Sequence, residues 1–162
     1  QFLDLTKRVT PTKGQVFRAS EKVVDDQYRD VDVYYIESEE EALYEVLQKV
    51  AQTSNSYFNY EINGIEKAQV MKYTAPSNGY SWHIDIGADG IAANRKIAVS
   101  ILLNENYEGG EMAFRTAEQI EKVKPKTGEV VAFSSFISHS VRPVTKGERY
   151  VAVAWFTGPH FR

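Results

Sequence analysis

His83 and Asp85 stand two apart in the stretch "GYSWHIDIG" (residues 79–87), in a chain that holds three histidines. On a β-strand, residues two apart point to the same face, about 7 Å from one another along it. An imidazole and a carboxylate so placed can share a metal ion or can simply hydrogen-bond. Deciding between these needs a third ligand. The stretch "FISHSVRPVTKGERYVAVAWF" offers one. His139 opens a predicted strand, "PVTKGE" turns the chain, and Arg149 starts the next strand on the face of Val151, Val153 and Trp155. If that turn closes a hairpin, His139 and Arg149 face one interior. His160, in the tail "GPHFR", has no such partner and reads as a surface residue.

Two imidazoles and one carboxylate on one face of an octahedron form the site of non-haem Fe(II) oxygenases. Three protein ligands leave three adjacent positions open. A bidentate 2-oxo acid fills two and dioxygen the third. The planar fork of Arg149 suits the other end of such a co-substrate, because it pairs with a carboxylate through two parallel hydrogen bonds. Singly, each residue has a plainer reading: a lone strand histidine is usually structural, and an arginine beside a turn is usually at the surface. Four residues with compatible facing are harder to dismiss.

Composition narrows the alternatives. The chain has 162 residues, 43% of them apolar and 25% charged, which fits one globular domain with a real core. It contains no cysteine, so any metal must be held by histidine and carboxylate, and disulfide scaffolds and cysteine nucleophiles are excluded. No apolar run approaches the roughly 20 residues of a membrane helix, and no signal-peptide pattern opens the chain. The expectation is a cytoplasmic protein without a membrane partner. A net charge of −3 argues against a general nucleic-acid binder. Neither composition nor motif bears on oligomeric state.

The elements that would position these residues follow from periodicity. In "ESEEEALYEVLQKVAQ", Leu43, Val46, Leu47 and Val50 recur at helical spacing, with Ser38 as N-cap and Glu41 completing a capping box. The acidic run Glu39–Glu41 then suits the positive end of the helix dipole. "YFNYEI" reads as a strand, with Asn63-Gly64 as a hairpin turn into "EKAQVMKY". Further predicted strands are "HIDIG", "RKIAVSILLN", "EMAFR", "GEVVAFSS", "SHSVRPV" and "RYVAVAWF". In "RKIAVSILLN" the face of Ile97, Val99, Ile101 and Leu103 suits a core, and that of Ala98, Ser100 and Leu102 is small enough either to pack a large aromatic or to leave room for a ligand. The fold class is mainly β: a jelly-roll, or double-stranded β-helix, with supporting N-terminal helices. Residues 1–162 read as a single domain, with 1–68 as helical and strand support and 69–157 as the core. Residues 20–35 and 86–96 are candidate lids by position, and "GADGIAANRK" in the latter ends in a basic pair that reads as exposed.

Beyond these derivations, the chain resembles the 2-oxoglutarate/Fe(II)-dependent dioxygenases, in particular their prolyl 4-hydroxylase-like branch and its small bacterial and phage-type members. "QVMKYTAPSNGYSWHIDIG" is similar to the family segment in which a tyrosine lies ten residues before the first ligand histidine. "LLNENYEGGEMAF" resembles the segment with a Gly-Gly-Glu turn after an aromatic. "SHSVRPVTKGERYVAVAWF" matches the second histidine, the Pro-Val-x-x-Gly turn, the basic residue ten further on and a tryptophan six beyond that. The resemblance covers residues 69–157. It implies Fe(II) held by His83, Asp85 and His139 as the catalytic centre, and 2-oxoglutarate anchored by Arg149. Tyr73 and Ser100 assist the anchoring, and Tyr80 and Trp155 form the substrate pocket. It further implies O2 as oxidant, ascorbate as a reductant, and hydroxylation by hydrogen abstraction at an Fe(IV)-oxo species. The substrate implied is a prolyl residue in a peptide or protein; a free amino acid or other small metabolite is the alternative, and a non-catalytic metal- or sugar-binding jelly roll is the rival outside enzymology. One departure stands out. Leu102 occupies the place where some protein-modifying relatives carry a co-substrate tyrosine, and it cannot hydrogen-bond. Gly109 and Gly110 read as turn residues without chemistry.

Overall fold

Val151, Val153 and Trp155 alternate with Ala152, Ala154 and Phe156, and the strand they build is the spine of the molecule. A computed structural model describes residues 1–18 and 21–161. Helix α1 (Phe2–Leu5) is followed by strands β1 (Thr12–Lys13), β2 (Gln15–Arg18), β3 (Glu21–Val24) and β4 (Asp32–Tyr35), then helix α2 (Glu41–Phe58). Next come β5 (Gly64–Ile65), β6 (Gln69–Thr74), β7 (Tyr80–His83), β8 (Arg95–Leu102) and β9 (Tyr107–Gly109). The chain continues with β10 (Met112–Thr116), β11 (Gln119–Val123), β12 (Val130–Ser134), β13 (Ser138–Val141) and the spine, β14 (Val144–Thr157). Among the described residues, the larger sheet runs β1-β4-β6-β14-β8-β12, with β5 and β9 also paired to β14; the smaller runs β11-β10-β13-β7. Pairings are antiparallel, as a jelly roll requires.

The alternation in β8 divides the core in two. Ile97, Val99 and Ile101 join Leu43 and Leu47 of α2 on one side of the larger sheet. Ala98 and Leu102 face the other way, into the cluster with Tyr73, Phe133, Val151 and Trp155. The helix thus stiffens the sheet from outside while the inner face is left for a site.

Four local expectations are corrected. Helix α2 begins at Glu41 with Glu40 as its N-cap, and no side chain caps it. The Ser38 hydroxyl instead donates to Glu39, so the capping box does not form. "YFNYEI" is not a strand: the helix runs on to Phe58 and ends at Asn59 in the left-handed region. The Asn55 amide then takes both backbone groups of Tyr60, accepting from its N–H at 2.9 Å and donating to its carbonyl at 2.8 Å. A ladder partner would need those same groups. Asn63-Gly64 makes no hairpin either, since Gly64 pairs with Thr157 of β14. A Cβ on Gly64 would lie 2.8 Å from the Thr157 hydroxyl, so close strand approach is what asks for glycine here. Finally, "PVTKGE" closes no hairpin between His139 and Arg149. After β13 the chain crosses at Arg142–Pro143 from the smaller sheet to the larger. Strand β11, "QIEKV", was not foreseen; it is exposed along almost its whole length and lacks an apolar period.

Of the candidate lids, Ser20 lies outside the described residues. Tyr28 and Arg29 pack on β7: the Tyr28 hydroxyl donates to the Trp82 carbonyl, and Arg29 bridges to Tyr80. Residues 86–96 fold on themselves through Gly87 N–H to Ala92 C=O and a 3-10 turn at Ile91–Asn94. Among the described residues, no helix is long and apolar enough to cross a membrane.

Candidate metal and co-substrate site

The inner face of β13 puts His139 directly across from His83 on β7 and Phe114 on β10. Asp85 does not sit on the strand, because β7 ends at His83. Its backbone bends away, and the N–H groups of Asp85 and Ile86 both donate to the Ser135 carbonyl, at 2.9 and 3.0 Å. The bend turns the carboxylate back between the two imidazoles. His83 Nε2 lies 3.5 Å from Asp85 Oδ1, and His139 Nε2 3.6 Å from Asp85 Oδ2. All three groups offer a ligand atom within 4.8 Å of one another, the spacing of a group able to hold one ion.

Both histidines are held the same way. Nδ1 of His83 meets the Ser81 carbonyl at 2.7 Å, and Nδ1 of His139 meets the Ile137 carbonyl at 2.9 Å. A proton on Nδ1 donates to each carbonyl and leaves both Nε2 lone pairs directed at the shared space. Burial pushes the His139 imidazole below its ordinary value against the pull of Asp85, which keeps it neutral and able to ligate. Burial also opposes ionisation of Asp85. The His83 hydrogen bond and the electrostatic pull of the facing His139 and His83 rings outweigh that, and its pKa falls to about 2. An ionised carboxylate set between two imidazole Nε2 atoms is therefore what this pocket offers a cation.

Tyr80 is brought in by an irregularity. His139 pairs with His83 but Val141 pairs with Tyr80, so β7 carries one extra residue between them. Without that bulge Tyr80 would face outward, three residues from His83. With it, the phenol ring stacks on the His83 imidazole, centroids 3.6 Å apart. Burial raises the Tyr80 hydroxyl to about 12, so it stays protonated.

The same cavity reaches Met71, Tyr73, Ser100, Val153, Trp155 and Arg149. Arg149 is 1% exposed, yet its Nε and Nη1 have no hydrogen-bond partner. Among the described residues no carboxylate pairs with it. Its guanidinium lies 5.5 Å from the ring of Tyr73, a fully buried phenol whose hydroxyl finds only the Met71 sulfur at 3.9 Å. Leu102 is fully buried in the apolar cluster with Tyr73, Val151 and Trp155 and offers no polar atom. His160 is exposed in the tail, away from this constellation.

Sequence reasoning did not single out three contributors. Gly110 was read as a turn residue, and it does have φ +68, but a Cβ there would also stand 2.7 Å from Arg149 Cδ. Its missing side chain makes room for the guanidinium. If Arg149 anchors 2-oxoglutarate, as the resemblance implies, Gly110→Ala should raise the half-saturating 2-oxoglutarate concentration by about tenfold, equivalent to about 1.4 kcal/mol. A succinate assay at varied co-substrate would report this, and an unchanged requirement would show that the arginine has room to spare. Arg95 and Glu66 were the other two. Arg95 is the basic end of "GADGIAANRK" and reads as exposed, but its side chain is 17% accessible and forms a fork with Glu66. The signal lay in the register of β8, which local sequence does not carry.

Comparison with known proteins agrees with this geometry. The profile of the 2OG-Fe(II) oxygenase superfamily matches residues 68–157. A PKHD-type hydroxylase of Alteromonas mediterranea is 34% identical over 86 residues, covering 49% of this chain and 38% of the relative. One of Hyphomonas neptunium is 32% identical over 100 residues, covering 54% and 45%. The chain thus matches less than half the length of these curated relatives. Among solved structures, a Trichoplax adhaerens prolyl hydroxylase in complex with a hypoxia inducible factor peptide fragment superposes with TM-score 0.75 at 22% identity, over 96% of this chain and 74% of that one. A Pseudomonas putida prolyl-4-hydroxylase gives 0.72 at 18% identity, over 95% and 79%. At these identities the likeness establishes a common fold.

Proposed function

Because the chain belongs to the 2OG-Fe(II) oxygenase superfamily, we propose that it is a 2-oxoglutarate- and O2-dependent hydroxylase of prolyl residues in a peptide or protein. In this reading residues 1–162 act as one unit with 69–157 as its catalytic core. His83, Asp85 and His139 hold Fe(II), and the ion, when bound, supplies the oxidative chemistry that a side chain cannot. The observation that carries the reading is the buried, unpaired Arg149 in the same cavity as the three ligands. An isolated buried guanidinium is costly unless an anion arrives, and a dicarboxylate that also reaches a metal is the co-substrate such a pair fits.

The remaining residues orient and exclude. Tyr73 offers its hydroxyl beside the guanidinium, and Ser100 offers a second one from β8. With Leu102 apolar and packed into the cluster behind them, co-substrate anchoring rests on these three polar groups. Tyr80 and Trp155 form the wall nearest the metal ligands, and the apolar lining of Met71, Val151 and Val153 keeps water from the reacting centre. Ascorbate as a reductant and a cytoplasmic location belong to the same reading, the latter supported by the absence of cysteine. The curated relatives' name supports a hydroxylase, and the prolyl peptide as substrate is supported by the names of the Trichoplax and Pseudomonas putida prolyl hydroxylases and by the peptide in the Trichoplax complex.

The test supplies Fe(II)-loaded protein with 2-oxoglutarate and a panel of proline-containing peptides, and reads succinate and peptide mass together. One oxygen gained on proline in step with succinate is the expected result. Succinate without peptide change would move the substrate to a free amino acid or other small metabolite. Bound Fe(II) and 2-oxoglutarate with neither product would leave a binding module.

A further inference from the structure

Asp85 is the one member of the triad that no strand holds, so something else must fix its backbone. Two contacts do so. From one side its N–H donates to the Ser135 carbonyl; from the other, Arg95 Nη1 donates to the Asp85 carbonyl at 3.0 Å. Arg95 is itself clamped. Its Nε donates to Glu66 Oε2 at 2.6 Å while Nη2 donates to Oε1, and its guanidinium stacks 4.1 Å from the Trp155 ring. Glu66 is tied in turn, its N–H donating to the Trp155 carbonyl at 2.9 Å.

Arg95 reaches this position through a bulge. Phe156 pairs with Ile97, but Thr157 pairs with Arg95, so β8 carries an extra residue, Lys96, at its start. The extra residue re-aims the side chains on either side of it. Lys96 turns to the tail, its ammonium 3.5 Å from the Phe161 ring, and Arg95 takes the face of Trp155 beside the metal ligands. A straight strand would exchange the two cations.

We propose that the Arg95–Glu66 pair is a positioning device for the metal ligand Asp85, setting the bend that brings its carboxylate between His83 and His139. The inference rests on the assignment of those three residues as the metal site and extends it to residues that touch neither metal nor co-substrate. A planar fork is required, because one guanidinium must meet a carboxylate edge, a carbonyl and a ring face at once. An ammonium has the charge without the geometry.

The test is a titration of metal-free protein with Co(II), without co-substrate or peptide, followed by the visible absorption of the bound ion. Arg95→Met and Arg95→Lys should both weaken Co(II) binding by about 10–100-fold, the usual effect of losing a residue that orients a ligand. Glu66→Gln, which keeps the volume and one acceptor, should weaken it less while leaving the thermal midpoint of the metal-free form within a few degrees. This variant keeps the test valid should the arginine substitutions fail to fold. Failure of lysine to rescue separates orientation from simple charge. Co(II) affinity unchanged in folded Arg95→Lys and Glu66→Gln would overturn the proposal. If the unaltered chain takes up no Co(II), the metal-site assignment fails first, and the two failures are told apart in one experiment.

Discussion

Asp85→Ala should reduce succinate formation by about 10³-fold or more, some 4 kcal/mol at 1.36 kcal/mol per decade. The carboxylate is the one anionic ligand in the cluster, and it stands between both imidazoles, 3.5 and 3.6 Å from their Nε2 atoms. Alanine leaves two neutral ligands and no charge to offset a divalent ion. The backbone contacts that shape the bend survive the change, because the Ser135 carbonyl accepts the residue's N–H and Arg95 Nη1 donates to its carbonyl whatever the side chain. The metal-free protein should therefore melt within a few degrees of the unaltered chain. Asp85→Asn should behave nearly as badly, since an amide keeps the shape and loses the charge. Metal titration beside the succinate assay checks both statements. Retention of metal affinity within tenfold in Asp85→Ala would remove the residue from the ligand set.

Arg149→Ala is expected to raise the half-saturating 2-oxoglutarate concentration by about 10²-fold or more, because truncating one partner of a buried, hydrogen-bonded charge pair costs about 2–5 kcal/mol. Arg149→Lys should lie between, since an ammonium supplies charge without the fork. The stability of the ligand-free protein gives an independent check. With Nε and Nη1 unpaired, the guanidinium is a burden in the absence of an anion, so its removal should cost little thermal stability for a side chain 1% exposed. Conversely, 2-oxoglutarate should raise the melting midpoint of the unaltered chain by mass action and fail to do so in Arg149→Ala. A large loss of ligand-free stability with unchanged co-substrate dependence would make Arg149 a structural residue.

The two faces of β8 and the inward row of β14 were readable in advance because strand alternation is local: each residue's facing follows from its neighbours with period two. The apolar stripe of α2 was readable for the same reason, although its ends were not. Ser38 is a good capping residue by type, but its hydroxyl went to Glu39, and the helix outran its predicted end until Asn59 took the left-handed turn. Caps depend on where the preceding chain arrives, which here is decided by β4 docking on β6.

The amino-acid sequence by itself supplied the candidate residues and their order along the chain: Tyr73, His83, Asp85, Ser100, His139, then Arg149, with the two faces of β8 and the shared face of Arg149, Val151, Val153 and Trp155 told apart. Tertiary structure decided how these meet. Asp85 arrives from a bend rather than a strand, Tyr80 is turned onto His83 by a bulge in β7, and Arg95 is exchanged with Lys96 by another in β8. His139 and Arg149 face one interior from different sheets, not from the two arms of a hairpin. Each of these is a matter of which strand pairs with which and in what register. Period-two alternation is encoded residue by residue, but a one-residue slip reverses every facing beyond it, and only the distant partner strand sets where the slip falls.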